Sequence, residues 1–417
     1  MGTFFYNIFL FLYQAGIGIA SLWNDKAKLW LNGRKNIFEE LNSKVKSQKS
    51  KVIWFHCSSL GEFEQGRPVI EKLRSQNPHF KFLLTFFSPS GFEIRKDYKG
   101  ADWVFYLPLD SKKNAKRFFE IADPSLVVFV KYDYWYYYLT ECKKRDIPLL
   151  LVSGIFRKDQ PFFKWYGSLH RRMLKCFNHF FVQDKESLQL LQSLHINNAT
   201  VTGDTRFDRV SEIAKNFKPI EEIEKFCGSS PVIVAGSTWP EDEKLIKDAT
   251  ALFPDLKIII APHEIHKEHI NQLKSIFPNA MLHSLLVAQS YQPIISSCLI
   301  IDNIGMLSRL YYYATISYVG GGFNKGIHNT LEAAVYGKPV LFGPNYKKFR
   351  EAIGLIETGG GICINSGIEL STILQKFISN KGELESTSRN SFDFVNQNRG
   401  ATDKIFHYIE VNRLLTN

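Results

Sequence analysis

The chain has 417 residues, 45% hydrophobic and 22% charged, which suits about two folded domains, because single cores stop growing beyond roughly 250–300 residues. Its six cysteines (Cys57, Cys142, Cys176, Cys227, Cys298, Cys363) are scattered without a C-x-x-C pair, which argues against a metal site or disulfide framework and fits a reducing compartment. Residues 1–210 hold 32 of the 52 Lys and Arg but only 20 of the 41 Asp and Glu, so the N-terminal half carries all of the net charge of +11. That half should face phospholipid, an acidic substrate or nucleic acid. No nucleic-acid motif appears, which leaves lipid or acidic substrate.

Residues 3–23 form an apolar run of about the length that spans a bilayer, with Tyr6, Tyr13 and Trp23 suited to membrane interfaces. No basic region precedes it and no A-x-A-like site follows, so a signal peptide is not expected. Lys26, Lys28, Arg34 and Lys35 come next and would hold the C-terminal flank on the cytoplasmic side. The run is expected to attach the chain to a membrane, either as a single anchor or as a helix in the interface. A buried core helix is the bland alternative.

From residue 51 apolar strands alternate with helices. Strands are predicted at 52–57, 80–87, 104–107, 126–130, 148–153 and 179–183, with T-V-T-G-D-T (200–205) closing the series. A polar, strand-free stretch at 215–230 reads as a linker. A second series follows at 231–236, 256–262, 298–302, 316–319, 339–342 and 362–365, and the end (367–413) reads as helices around a polar Ser/Asn/Arg stretch. This alternation predicts parallel sheets covered on both faces. The expected architecture is α/β: two Rossmann-like domains facing a central cleft, preceded by a membrane-associated helix. The expected division is 1–25 for that helix, 26–214 for an acceptor-binding domain and 215–417 for a nucleotide-sugar-binding domain. Ligands in such sheets sit beyond the carboxyl ends of the strands.

The candidate groups therefore lie on strand-to-helix loops. After the first strand comes S-S-L-G-E-F, in which Glu62 is either a general base or a first-turn carboxylate offsetting the helix dipole. S-P-S-G offers Ser88 and Ser90 to a phosphate or sugar. K-Y-D-Y-W carries Asp133 among aromatics that suit sugar stacking. G-D-T-R-F-D carries Arg206, able to bind a carboxylate or phosphate bidentately or to form an interdomain salt bridge. In the second half the loops are G-S-T-W with Ser237 and Thr238, A-P-H-E-I-H with Pro262 and His263, and D-N-I-G-M with Ile304, Gly305 and Met306. His263 and His266 lack a third ligand, so no metal is expected. Residues 315–344 read as strand, three glycines, loop, helix from Asn329 and strand. Glycines there admit close backbone approach, and the helix start is a candidate anion site. N-x-x-E from Asn329 to Glu332 is also a capping box.

In this order these motifs resemble the 3-deoxy-D-manno-octulosonic acid (Kdo) transferases of Gram-negative lipopolysaccharide synthesis. The resemblance spans almost the whole chain: the apolar start, S-x-G-E, F-S-P-S-G, Y-L-P-L-D, D-Y-W, V-T-G-D-T-R-F-D, A-G-S-T-W, A-P-H-E, I-G-M and H-N-T-L-E-A-A-x-x-G-K-P-V-L-F-G-P. It implies an inverting GT-B glycosyltransferase that takes Kdo from CMP-Kdo to a phosphorylated lipid A precursor, without metal or cofactor, at the cytoplasmic face of the inner membrane. Position by position, Glu62 resembles the proton acceptor, and Asp133 and Arg206 the stabilisers of the transition state. Pro262, His263, Ile304, Gly305, Met306, Asn329, Thr330, Leu331 and Glu332 match the segments that hold CMP, with Glu332 on the ribose. Three residues depart from the pattern: Asp133 stands where Glu is expected, Arg206 where Lys is, and His263 where Arg is. A partly protonated His263 would make donor binding pH-dependent, or leave it to another cation such as Lys325. Two other readings are open: a membrane-associated GT-B transferase using a UDP- or GDP-sugar, and a non-catalytic nucleotide- or lipid-binding protein.

Overall fold

The computed structural model describes residues 2–46, 50–288 and 296–415. Seven strands form a first sheet: Val52–Cys57 (β1), Lys81–Phe86 (β2), Trp103–Tyr106 (β3), Pro124–Val130 (β4), Leu149–Gly154 (β5), His179–Val182 (β6) and Ala199–Val201 (β7). They pair in parallel in the order β3-β2-β1-β4-β5-β6-β7. Seven more form a second: Val232–Thr238 (β8), Lys257–Pro262 (β9), Met281–Leu282 (β10), Cys298–Ile300 (β11), Ile316–Val319 (β12), Val340–Phe342 (β13) and Gly361–Cys363 (β14). Their order is β10-β11-β9-β8-β12-β13-β14, again parallel.

The strands are mostly apolar because both faces of each sheet are covered. Trp54, Val127 and Phe129 point into one cluster of the first sheet, while Ile53, Phe55 and Val128 point into the cluster on its other face. The strand order reverses beside β1 and β4 in the first sheet and beside β8 and β12 in the second. Neighbouring loops diverge at such a switch point and leave a crevice at the carboxyl ends of the strands. Glu62, Asp133, Thr238 and the glycine run lie at or just beyond the carboxyl ends of β1, β4, β8 and β12.

The chain divides into a first unit, Met1–Arg209 with Arg399–Asn417, and a second, Val210–Asn398. This differs from the expected division at the end of the chain. The last helix, Ala401–Val411, buries Ile405 and Ile409 in the same core as Val69 and Leu73 of the helix Leu60–Gln76. The expected linker contains the helix Glu221–Cys227, with Ile223 and Phe226 buried. The polar Ser/Asn/Arg stretch is itself helical, Lys381–Asn398, and buries Thr387, Ser391 and Val395.

The apolar start is the helix Gly2–Ala20, long and apolar enough to cross a membrane. It lies against the first unit by one stripe. Tyr6 donates to Asp110 at 2.6 Å, Tyr137 donates to Asn7 at 2.8 Å, Leu10 is buried, and Tyr13 packs on Trp30 and Phe87. The other face carries Phe5, Phe9, Phe11 and Leu12, with Phe11 71% exposed.

Candidate functional site

In the first unit, Glu62 sits in the opening turn of the helix Leu60–Gln76, where it accepts a hydrogen bond from the Ser59 hydroxyl. Asp133 lies beyond β4, largely buried, with Oδ2 2.9 Å from Nε2 of the fully buried His56. Glu62 and Asp133 follow the carboxyl ends of the paired strands β1 and β4. Burial pushes the Cys57 thiol at the end of β1 well above its ordinary range, and the charges of Glu62, Asp133 and Glu64 push it further. The S-P-S-G loop runs alongside: Ser88 N donates to the Ser58 carbonyl at 2.8 Å, and the Ser88 and Ser90 hydroxyls meet at 2.7 Å.

Arg206 follows β7 and grips Asp204 through Nε at 2.9 Å and Nη2 at 2.8 Å. Burial alone would raise the Asp204 carboxyl, but Arg206 outweighs it and holds the group below the usual carboxylate range. Gln65 Nε2 also donates to Asp204, at 3.1 Å, so the helix that bears Glu62 braces the Arg206 loop. Arg206 thus has its charge partner within its own loop. Lys131 and Ser153, after β4 and within β5, both adopt left-handed backbone (φ 65° and 53°), a strain that concentrates where loops are built for function.

In the second unit the strand-end loops touch through their backbones. A Cβ on Gly320 would lie 2.4 Å from the Ser237 carbonyl oxygen, and one on Gly322 2.5 Å from Gly343. The glycine run is therefore required by packing. Within the glycine run, Gly321 N–H donates to Asp242 Oδ2 at 2.9 Å. The helix expected from Asn329 is a single turn, Leu331–Ala334, so its dipole contributes little. Asn329 Oδ1 accepts from Leu331 N at 3.2 Å, and Asn329 Nδ2 donates to Glu332 Oε1 at 3.0 Å. Glu332 thus meets the Asn329 side chain, where a capping box would pair it with the backbone.

Pro262 ends β9, and His263 N donates to the Thr238 carbonyl at 3.0 Å, while the Thr238 hydroxyl donates to the buried Glu243. The His263 ring stacks between Trp239 and His328, at centroid distances of 4.8 and 4.4 Å. Trp239 Nε1–H donates to His328 Nε2 at 3.3 Å. Burial lowers the pKa of His263. It lowers His328 to about 4, with His263 adding to the effect. Both shifts favour the uncharged ring, against the expectation of a partly charged His263. Ile304 is 85% exposed, Gly305 has φ 95°, and Met306 is buried at the start of a short helix. His266 caps the helix Lys267–Ile276 by accepting from His269 N.

Sequence reading missed His56, Asp204, Asp242, Glu243 and His328. Asp204 and His328 sat inside quoted motifs, but their partners are 2 residues away for one and 89 for the other. His56 gave one signal, a lone imidazole inside an otherwise apolar strand.

Two parallel Rossmann-like units with the candidate side chains at strand ends define an α/β fold of the GT-B type. Residues 34–209 match the family model described as 3-deoxy-D-manno-octulosonic-acid transferase (kdotransferase). A 3-deoxy-D-manno-octulosonic acid transferase of Rickettsia felis is 30% identical over 378 residues, covering 87% of this chain and 80% of the relative. One from Haemophilus influenzae is 23% identical over 430 residues, covering 98% of each. A putative UDP-N-acetylglucosamine 2-epimerase structure from Listeria monocytogenes shares the fold, with a TM-score of 0.57 and 12% identity over 83% of this chain and 94% of that one. The chain belongs to the 3-deoxy-D-manno-octulosonic acid transferase family.

Proposed function

We propose that this protein transfers Kdo from CMP-Kdo to a phosphorylated lipid A precursor in lipopolysaccharide core synthesis. The observation that carries the reading is the placement of Glu62 and Asp133 just beyond the carboxyl ends of the adjacent parallel strands β1 and β4, in a chain of this family. Glu62 is the general base. It takes the proton from the acceptor hydroxyl as that oxygen attacks the anomeric carbon of Kdo, and CMP leaves with the bonding electron pair. Asp133 and Arg206 stabilise charge in the transition state. Arg206 stays aligned because Asp204 holds its guanidinium from behind.

Donor binding is assigned to Ser237, Thr238, Pro262, His263, Ile304, Gly305, Met306 and the segment from Asn329 through Thr330 and Leu331 to Glu332. Because His263 and His328 are neutral, their stack with Trp239 suits the flat face of a base better than a phosphate. Ser88 and Ser90 are assigned to the polar part of the acceptor.

The acidic lipid acceptor accounts for the basic N-terminal half. The helix Gly2–Ala20 is docked sideways along the first unit by Tyr6, Leu10 and Tyr13, which favours a helix lying in the cytoplasmic interface of the inner membrane over one that spans it. Nearby, Trp165 is 91% exposed, and the helix Ser168–Leu174, which follows it and packs beside the first helix, carries Arg171 and Arg172.

Titrating CMP, UDP and GDP against the purified full-length protein tests the donor. CMP should bind at least tenfold more tightly than the other two, a difference of about 1.4 kcal/mol. Preference for UDP or GDP would favour a different sugar donor, and binding without turnover of CMP-Kdo would favour a non-catalytic protein.

A further inference from the structure

The helix Tyr136–Lys144 begins just after the Asp133 segment, and its start is held from elsewhere in the chain. Its N-cap residue is Trp135, whose side chain has no acceptor and makes no cap. The first N–H groups of a helix lack partners within it, and here three of them find acceptors far away in sequence. Tyr136 N donates to the Tyr6 hydroxyl at 3.3 Å, Tyr137 N to Asp110 Oδ2 at 3.1 Å, and Tyr138 N to Asp110 Oδ1 at 3.2 Å. The Tyr6 hydroxyl donates in turn to Asp110 Oδ2 at 2.6 Å. Asp110 is buried, where a carboxyl or an N–H left without its partner is costly. One residue of the apolar N-terminal helix thus completes the cap.

The same helix reaches the segment a second way. Tyr13, two turns on from Tyr6 and on the same face, stacks on Phe87 at 6.0 Å, and Phe87 packs on Trp135 at 4.4 Å. Trp135 Nε1–H donates to His56 Nε2 at 3.2 Å. That nitrogen accepts, so it has no proton to give Asp133, whose buried Oδ2 has no hydrogen-bond partner among the described residues. The aim of this carboxylate then depends on how the backbone of its segment is held, and at Tyr136 the hold comes from Tyr6. A helix that only attaches a chain to a lipid surface needs apolar area and charge, not a hydroxyl built into the start of another helix.

We propose that Tyr6 is a positioning residue for the transfer step: through it the helix Gly2–Ala20 fixes the start of the helix Tyr136–Lys144, and with it the segment that carries Asp133. The N-terminal helix is then part of the catalytic framework as well as of membrane attachment. This rests on the role proposed above for Asp133.

The test uses the full-length protein with the acceptor dispersed in detergent micelles, so that recruitment to a bilayer does not limit the rate. Wild type is compared with Tyr6→Phe, Asp133→Ala and the double variant, measuring kcat, KM for CMP-Kdo and the thermal unfolding midpoint. Tyr6→Phe keeps the ring and removes only the hydroxyl. A displacement of about 1 Å can cost on the order of 10²-fold, so loosening the segment should lower kcat by about tenfold, with donor KM within about twofold of wild type. A hydroxyl that only stabilised the fold would lower the midpoint and leave kcat unchanged well below it. If Tyr6 acts through the Asp133 segment, the double variant should be no slower than Asp133→Ala.

A Tyr6→Phe enzyme with wild-type kcat beside a slow Asp133→Ala would overturn the inference. So would losses that multiply in the double variant. An Asp133→Ala enzyme with wild-type kcat would instead defeat the role given to Asp133, and the inference with it. Should Tyr6→Phe not fold, Tyr13→Leu carries the test through Phe87 and Trp135: a kcat lowered about fivefold with unchanged donor KM supports the inference, and a wild-type kcat refutes it.

Discussion

The two units hold their candidate side chains by different means. In the first, each charged group lies against a polar side chain: Glu62 accepts from Ser59, Asp133 Oδ2 lies 2.9 Å from His56 Nε2, and Arg206 donates to Asp204, with Gln65 behind. In the second, loops meet backbone to backbone at Gly320 and Gly322, and the groups near the strand ends are neutral rings, with the acids Asp242 and Glu243 turned inward. The difference suits different tasks. Proton transfer and charge stabilisation need ionised groups held in fixed geometry. A nucleotide needs a shaped, uncharged face and little else from side chains.

The largest expected effect is in the first unit. Glu62→Gln keeps the shape of the side chain and removes the base, so kcat should fall by about 10²–10⁴-fold while CMP affinity stays at the wild-type value. Loss of CMP binding in this variant would blur the division of labour. The converse variant is Gly320→Ala, whose Cβ would meet the Ser237 carbonyl at 2.4 Å. Forcing those loops apart should cost about 1–3 kcal/mol of stability and weaken CMP binding, as read by calorimetry. Unchanged CMP affinity would show that the loop contact does not shape the donor site.

A pH effect of similar size belongs to the first unit. Burial raises the Asp110 carboxyl to about 6, against the lowering effect of the hydrogen bonds from Tyr6, Tyr137 and Tyr138. A carboxyl whose pKa is raised by folding binds its proton more tightly in the native state. The stability this provides is full below about pH 4 and is lost as the pH rises through about 6. Asp110→Asn does not titrate, so it should gain on the wild type by roughly 2–3 kcal/mol between pH 4 and 7 in denaturant unfolding. A constant difference would mean that Asp110 is not perturbed.

The smallest effect is in the second unit. With His263 and His328 already neutral, CMP affinity should change less than about twofold between pH 6.5 and 8. His263→Arg should raise the affinity by up to about tenfold, in a manner that salt suppresses. A steep fall in wild-type affinity across that pH range would show that a charged imidazole takes part after all.

The strands were legible because a run buried on both faces is apolar throughout: 52–57 and 316–319 appear where the residues place them. Elements with mixed character were not. Lys381–Asn398 looks like a polar connector because it buries only three small or β-branched side chains along one face, Thr387, Ser391 and Val395. The place of the last helix was not legible, because burial of Ile405 in one core with Val69 and Leu73 depends on contacts more than 300 residues apart in sequence. At the site, the residue types were readable from their motifs, but their partners were not. His56 and Thr85 meet only through the register of β1 on β2. The glycine run was legible as a place of close backbone approach, and only the fold shows Asp242 on the Gly321 N–H.

The central claim is the reaction itself, and the most direct measurement is mass spectrometry of the product made by the full-length protein from CMP-Kdo and a tetra-acylated lipid A precursor. The account predicts an acceptor heavier by one or more whole Kdo units, formed by the wild type and not by Glu62→Gln. An unmodified acceptor with intact CMP-Kdo, or a Glu62→Gln variant that makes product at the wild-type rate, would contradict it.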